Sequence, residues 1–573
     1  MIETERIPIV IGVTGHRDIP PEDVPALETT ISKFFAELRR LCPRSPFVIL
    51  SSLAEGADQL VARVGVQDHS AELIIPLPFP RNEYEKYYSR QSLEIFHSLL
   101  KIGTPITIPV VERHDPQQIS QQEDPRARQY AMTGAYIVRN CHILLALWDG
   151  KDSEKTGGTS QVVSFAKEGM PVPYAAPPGL LDEVETTPVY HIPTRRISDA
   201  VADTINTTEM QSQEPQLLFK ENPFIKNILL NIDLFNSDVN TCYAKNGEQF
   251  KQDIKRNTEY VIEDKINELN ETEARILKFY AVADTLAIYF RGKNDATIMW
   301  LFSLAVLAVL AFEVYAHMVP HWIVLLIYPG TLLLAFGIYY FSSKKGRTQQ
   351  KYFDYRALAE GLRVALFWRI AGLEEEVRDY YLRKQKNELG WIHRGVQTCS
   401  ALASLGGERR QSPHEQGLRL TLDRWVQVQL NFFNKRVRED TRKLHHSEKR
   451  RDGIFKAGLI LAIIVSVADI FFHGEQIYSS THHLLIVLMG FLPAMAAALG
   501  GYTEKMATSA QTKRYEWMTN IYSIAEKRLS ACIEKGDYKM AQELILELGQ
   551  ESLEENADWL IMHRERPIEV PKG

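Results

Sequence analysis

The residues best suited to chemistry lie in four short polar stretches near the amino terminus, each following a run of apolar residues. Gly12-Val13-Thr14-Gly15-His16-Arg17 closes the run Ile7 to Val13, and Ser51 to Asp58 follows Phe47 to Leu50. Phe79 to Glu83, containing Arg81, follows Glu72 to Pro76, and Asp149 to Ser160 follows His142 to Trp148. Glycines after a strand let the backbone come close to a phosphate or ribose. Gly157-Gly158-Thr159 precedes a helix expected to begin near Ser160, whose free amides and dipole favour an anion. Arg17, Arg81 and Arg139 supply charge, and arginine suits bidentate phosphate contact. The candidate ligand-binding set is therefore Gly12, Thr14, Gly15, His16, Arg17, Ser51, Glu55, Gly56, Asp58, Arg81, Asp149, Gly157, Gly158, Thr159 and Ser160. Glu55 and Asp58 are the candidate acids for catalysis. Asp58 at a helix start is equally explained by capping or by the helix dipole.

Positioning these stretches together requires a particular architecture. The spacing predicts a helix over Val24 to Leu41, with Leu27, Ile31, Phe34, Phe35, Leu38 and Leu41 on one face, and a second helix opening near Asp58. Further strands are expected at Glu72 to Pro76, Thr107 to Val111, His142 to Trp148 and Val189 to Ile192. Strands alternating with helices indicate a parallel sheet covered on both faces, a Rossmann-like α/β fold. In such a sheet a ligand belongs at the carboxyl ends of the strands, where the four polar stretches fall.

These motifs carry a family resemblance. GVTGHR at 12–17, AEGAD at 54–58 and TGGT at 156–159 resemble the SLOG superfamily, which includes the Smf/DprA proteins and the LOG nucleotide phosphoribohydrolases. The resemblance covers about residues 5–200 and implies a Rossmann-like domain that binds nucleotides or nucleotide-derived signals. Enzymatic members carry PGGxGTxxE with a catalytic glutamate. Aligned on Thr156-Gly157-Gly158-Thr159, that pattern puts Val162 in the glutamate's place. Glycoside hydrolysis needs a carboxylate at the reacting centre, so binding is favoured over turnover, with a membrane-tethered nucleotide hydrolase or phosphoribohydrolase as the alternative.

The rest of the chain is built around four apolar runs, 298–318, 322–341, 454–472 and 484–502. Each has the roughly 20 residues a helix needs to cross a hydrocarbon core. Arg291, Lys293, Lys344, Lys345, Arg347, Lys449, Arg450, Arg451, Lys456, Lys505, Lys513 and Arg514 all flank the runs on one side, while the turns joining each pair hold no Lys or Arg. The positive-inside rule then puts both termini in the cytoplasm. No signal peptide is recognised at the start, and the 5 scattered cysteines suit a reducing compartment. A formal net charge of -6 gives no reason to expect nucleic acid. Glu313 and Asp469 are acids inside expected spans and so candidate functional groups, unless each simply reaches water at the interface. No cofactor or metal site is expected; His445-His446 lacks further ligands at a suitable spacing.

Domain limits are expected at 1–200 for the α/β domain, 201–269 for a connector, 270–370 for a first helix–hairpin–helix unit, 371–453 for a helical stalk, and 454–573 for the second hairpin with its following helices. Asn270 to Phe290 should be a helix approaching the membrane, and 350–370 an amphipathic helix with Tyr355, Leu358, Leu362, Ala365 and Leu366 on its apolar face. Lys539 to Leu548 and a run ending at Ile561 are expected as two helices separated by a turn at Gly549. The hairpins, with Tyr355 to Glu360 and Glu555 to Leu560, resemble the SLATT group of two-span effector domains, although four spans depart from the simple form. That resemblance covers about 270–570 and implies a signal-gated membrane effector of prokaryotic conflict systems. The partners expected are a nucleotide-like small molecule, membrane lipid and further copies of the chain; a non-catalytic oligomeric scaffold is the third reading.

Overall fold

The computed structural model of the chain describes residues 5–109, 123–175, 184–197, 215–381, 386–405, 415–471, 480–506 and 508–566. The connector over 199–214, the loop at 406–414 and the second outer turn at 473–479 lie outside the described residues, as does 110–111 at the end of one expected strand.

Six parallel strands form one sheet: β1 (Ile9–Gly15), β2 (Phe47–Leu50), β3 (Glu72–Leu77), β4 (Thr104–Thr107), β5 (Ile143–Trp148) and β6 (Val189–Pro193), in the order β4-β3-β2-β1-β5-β6. Pairing Ile11 with both Ile49 and Ile143 puts β1 at the centre. The chain reverses direction across the sheet between β1 and β5, a topological switch point that opens a crevice at the carboxyl ends. The fourth strand begins earlier than its expected Thr107 start. It is an edge strand whose exposure alternates along Thr104–Thr107, and its short apolar content left no clear period in the sequence.

Alternate residues of β1 feed two cores. Ile9, Ile11 and Val13 pack with α1 (Val24–Leu41), α2 (Ala57–His69) and Phe96 of α3 (Arg90–Leu100). Val10, Leu144 and Ala146 pack with α4 (Glu123–Asn140) and α5 (Thr159–Glu168). Buried strands of this kind have apolar residues at every position, as the fully buried FVIL of β2 shows.

The second body is all helix: α6 (Pro223–Ile262), α7 (Glu271–His317), α8 (Trp322–Tyr339), α9 (Thr348–Ile370), α10 (Lys386–Ala403), α11 (Gln427–Phe471), α12 (Ser480–Lys505), α13 (Thr508–Lys535) and α14 (Tyr538–Arg564). α7, α8, α11 and α12 each contain a segment long and apolar enough to cross a membrane. The helix expected to approach the membrane is continuous with the first span. Asn270 caps it, and Glu273 completes a reciprocal capping box. At 1.5 Å per residue α7 is about 70 Å long, so roughly half of it stands outside the bilayer.

Two expectations need correction. α9 is buried nearly all round rather than amphipathic, because its charged residues are paired within the body. α14 runs through Gly549 without a turn, and the glycine leaves room for the indole of Trp368, which lies where a side chain at 549 would stand. A glycine in the middle of a helix is thus a packing device here.

Candidate functional site

The candidate site lies where β1, β2, β3 and β5 end. The His16 N–H continues the β1–β5 ladder to Leu147 O at 2.9 Å, and the His16 carbonyl accepts from Ala57 N–H at the start of α2 at 3.0 Å. Close approach of these two ends requires Gly56: its φ is +77°, and a Cβ there would stand 2.5 Å from the carbonyl oxygens of both His16 and Arg17. Gly15 packs directly on the Cβ of Ala57 for the same purpose. The buried His16 ring accepts from Asp149 N–H through Nε2 at 2.9 Å, so its proton is on Nδ1. Burial, and then the charge of Arg196, hold its pKa below the ordinary value, with Asp149 opposing. His16 is therefore a neutral strut between the two strand ends.

Ser51 and the two candidate acids hold loops in place. Ser51 Oγ donates to Asp58 Oδ2 at 3.2 Å and accepts from Leu53 N–H at 3.1 Å. The backbone amides of Ala54 and Ser52 also donate to Asp58. Leu53 is buried at a φ of +56°, and its carbonyl accepts from Gln59 Nε2 at 3.2 Å and from Tyr88 OH at 2.9 Å. Burial pushes the Asp58 carboxyl up to about 7. Glu55 accepts from Ser89 N–H at 2.6 Å, just ahead of α3.

Arg17 follows the end of β1 on this side of the sheet. Its guanidinium lies 5.6 Å from the ring centroid of Tyr130 and hydrogen-bonds that side chain. Among the described residues no carboxylate forms an ion pair with it. Tyr84 and Tyr88 complete its surroundings, and burial keeps all three phenols above their ordinary pKa, so they present neutral hydroxyls. Arg126 lies 5.4 Å from the ring centroid of Tyr87. No spacing in the sequence joins Tyr130 to Tyr84 and Tyr88, although the run Tyr84-Glu85-Lys86-Tyr87-Tyr88 directly follows the strand-end stretch containing Arg81.

The glycine loop reaches the same wall. Gly157 has a φ of +77° and sits against the Ala127 carbonyl, with Tyr130 Cβ 2.9 Å from the place a Cβ would take. Thr159 Oγ1 donates to Gly15 O at 2.9 Å, tying the start of α5 to the end of β1. The Gly157 N–H donates to Gln161 Oε1 at 2.6 Å and the Ser153 N–H to Ser160 Oγ at 3.0 Å, so two loop amides are already satisfied by side chains of α5. Gly158 is the residue before the helix, in extended conformation. Val162, in the place of the enzymatic glutamate, is buried against Gly134.

Four residues depart from their expected placement. Gly12 is in the middle of β1, where Ile137 and Cys141 of the α4 layer occupy the space a Cβ would need, so packing explains it. Thr14 is buried in the same strand opposite Ala146. Arg81 is turned to Glu85 at 2.6 Å. Arg139 is at the end of α4, at the opposite, amino-terminal end of the strands, bonded to Glu376 at 3.1 Å and Asp379 at 3.0 Å.

That amino-terminal end of the strands is docked on the helical body. The Asn236 amide of α6 pairs with both backbone groups of Ile7 at 2.8 Å, as a neighbouring strand would. Arg378 donates to Arg139 O and to Glu185, each at 3.0 Å, and Arg394 meets Glu185 at 3.2 Å. Two buried histidines stay neutral: burial, then nearby arginine charge, puts His142 at about 3, and burial puts His393 at about 4. The α1-side core of the sheet is continuous with the core of the helices.

In the span region, α7 packs against α8 and α12, and α12 packs against α11. Gly458 of α11 receives Pro493, and Gly501 of α12 receives Phe302, the small-residue contacts expected between apolar helices. Glu313 lies against Gly490 of α12 and 3.6 Å from His317; Asp469 lies 3.6 Å from His482. No family model matches the chain, and no curated protein matches it.

Proposed function

We propose that this chain is a ligand-controlled membrane effector: the α/β domain binds an anionic, nucleotide-derived molecule at its strand-end cleft, and the four apolar helices act on the bilayer as part of a homo-oligomer. The observation that carries the reading is Arg17, a cation that no carboxylate among the described residues holds in an ion pair, at the switch point of a parallel sheet and beside the neutral hydroxyls of Tyr84, Tyr88 and Tyr130. Such a group suits a phosphate, and the aromatic wall suits a base or sugar. The resemblance to SLOG domains, and of the helical half to SLATT effectors of prokaryotic conflict systems, leads in the same direction. The positive flanks of the spans favour a bacterial inner membrane with both termini in the cytoplasm.

Binding is preferred over turnover because Glu55 and Asp58 are engaged in holding loops and Val162 replaces the expected glutamate. The route from cleft to membrane is physical: the far end of the strands is seated on α6, α10 and the 376–379 turn, and these share a core with α7 and α9. A ligand acts through that route only to the extent that it favours one arrangement over another. The packing order α8–α7–α12–α11 lays the spans in a row, so a pore would be lined by several copies.

The test is a thermal-shift screen of the full-length protein with nucleoside phosphates, cyclic nucleotides and ADP-ribose derivatives. A ligand should raise the melting temperature, and Arg17→Ala should weaken its binding at least tenfold without lowering the melting temperature of the free protein by a comparable amount. No shift with any compound, or a shift unchanged in Arg17→Ala, overturns the reading. Product formation by the same preparation would establish the hydrolase instead.

A further inference from the structure

Beneath the spans, α9 carries Arg356, Glu360 and Arg363 within two turns, Glu360 and Arg363 buried and Arg356 half-buried. Arg356 meets Asp284 of α7 at 3.0 Å and also pairs with Glu360, which in turn pairs with Arg363. Two guanidiniums thus face two carboxylates, and the charges balance.

α14 brings a third carboxylate, Glu555, to this place. Its neighbours on α14 fix where it stands: Asn556 accepts from Tyr381 OH at 2.6 Å, Ser552 meets Tyr522 OH at 2.9 Å, and Asp558 holds Arg514 at 2.8 Å. Glu555 faces Glu360, Arg356 and Arg363 of α9 and Arg514 of α13. Tyr515 and Tyr522 of α13 and Tyr381 also face it. Glu551, Glu554 and Asp558 accompany it on α14, Asp284 and Tyr280 of α7 lie behind Arg356, and Arg436 of α11 faces Tyr515. Among the described residues Glu555 has no ion pair within 4.0 Å. When it ionises, four carboxylates, of Asp284, Glu360, Glu555 and Asp558, share three arginines, Arg356, Arg363 and Arg514. Glu555 is half-buried, and a carboxylate drawn out of water without its own partner is costly.

The location makes this consequential. α7 leads into the first span, α9 follows the second, and α13 follows the fourth. We propose that Glu555 is a proton-operated joint: protonated, it lets α14 close on α9 and α13, and ionised, it repels Glu360 and loosens the helices from which the spans rise.

Burial and the charge of Glu360 push this carboxyl up from 4.5 to about 7. The folded protein therefore binds more protons than the opened segment between those values. Protection present at low pH is lost as pH rises through about 7.

Amide hydrogen exchange of the full-length protein in lipid nanodiscs, corrected for intrinsic rates, tests this at pH 6 and 8. In the wild type, protection of α14 and the facing part of α13 should fall about tenfold between the two pH values. In Glu555→Gln it should be the same at both. Glu555→Ala serves as a second variant should the amide disturb the adjoining Asn556–Tyr381 contact. Unchanged wild-type protection, or a pH-dependent change that persists in either folded variant, overturns the proposal.

Discussion

Asp58 and Gly56 illustrate how residue types that suggest chemistry can be engaged in building the site. Asp58 is a buried acid with a raised pKa at the candidate site, a profile that often marks catalysis. Its oxygens are occupied by Ser51 and by the amides of the loop it closes, which gives it a full structural account. Gly56 does the less conspicuous work of letting β1 and α2 meet. Gly56→Ala should destabilise the α/β domain by about 1–3 kcal/mol, the range for a residue forced into a sparsely populated backbone region. Chemical denaturation of the full-length protein would measure it. A change within about 0.5 kcal/mol, the usual range for innocuous surface substitutions, would show that the junction relaxes easily.

At the scale of elements, α9 and the amino-terminal end of the sheet show charge used for docking. α9 reads as amphipathic because its Arg and Glu residues interrupt the apolar period, yet pairing allows the helix to be surrounded on every side. The sheet end uses arginine in the same way and adds two histidines. His142 accepts from Val10 N–H through Nδ1 at 3.0 Å, and His393 Nε2 donates to the Arg378 carbonyl at 2.8 Å; each contact works with a neutral ring. Because both pKa values are depressed from 6.5, the stability they contribute is complete above 6.5 and lost as pH falls toward 4. Each histidine should remove about 1.4 kcal/mol per pH unit over that window. The expected result is a docked end that gains exchange between pH 6.5 and 4, with His142→Gln reducing the slope. An unchanged slope in the folded variant would assign the acid sensitivity elsewhere.

At the scale of the whole molecule, the α/β domain and four apolar helices are joined through shared core rather than by a linker alone. α7 is a rod of about 70 Å at the usual rise, long enough to carry a displacement of the body to the membrane. The row of spans leaves broad apolar faces, with Leu333, Ile470 and Phe471 among the most exposed side chains. Lipid or neighbouring copies must cover them. Reconstitution at one chain per vesicle should give no dye release under conditions where vesicles with many copies leak after ligand addition. Equal release per chain at both densities would refute an assembled pore.

The sequence by itself determined the elements whose signal is local and periodic. Alternating strands and helices in the first part and four uninterrupted apolar runs in the second follow from hydrophobic spacing, and the polar strand ends follow from where the apolar runs stop. Tertiary structure alone decided which polar residues meet. Arg17 faces a tyrosine wall contributed by residues 84–88 and 130, Arg81 does not join it, and Arg139 serves the opposite end of the strands. Likewise Gly549, inside a helix, makes room for Trp368 rather than a turn. The physical reason is range: apolar periodicity records which face of an element is buried, whereas an ion pair, a close glycine contact or a cleft wall depends on groups distant in sequence. Only the packed sheet and bundle bring those groups together.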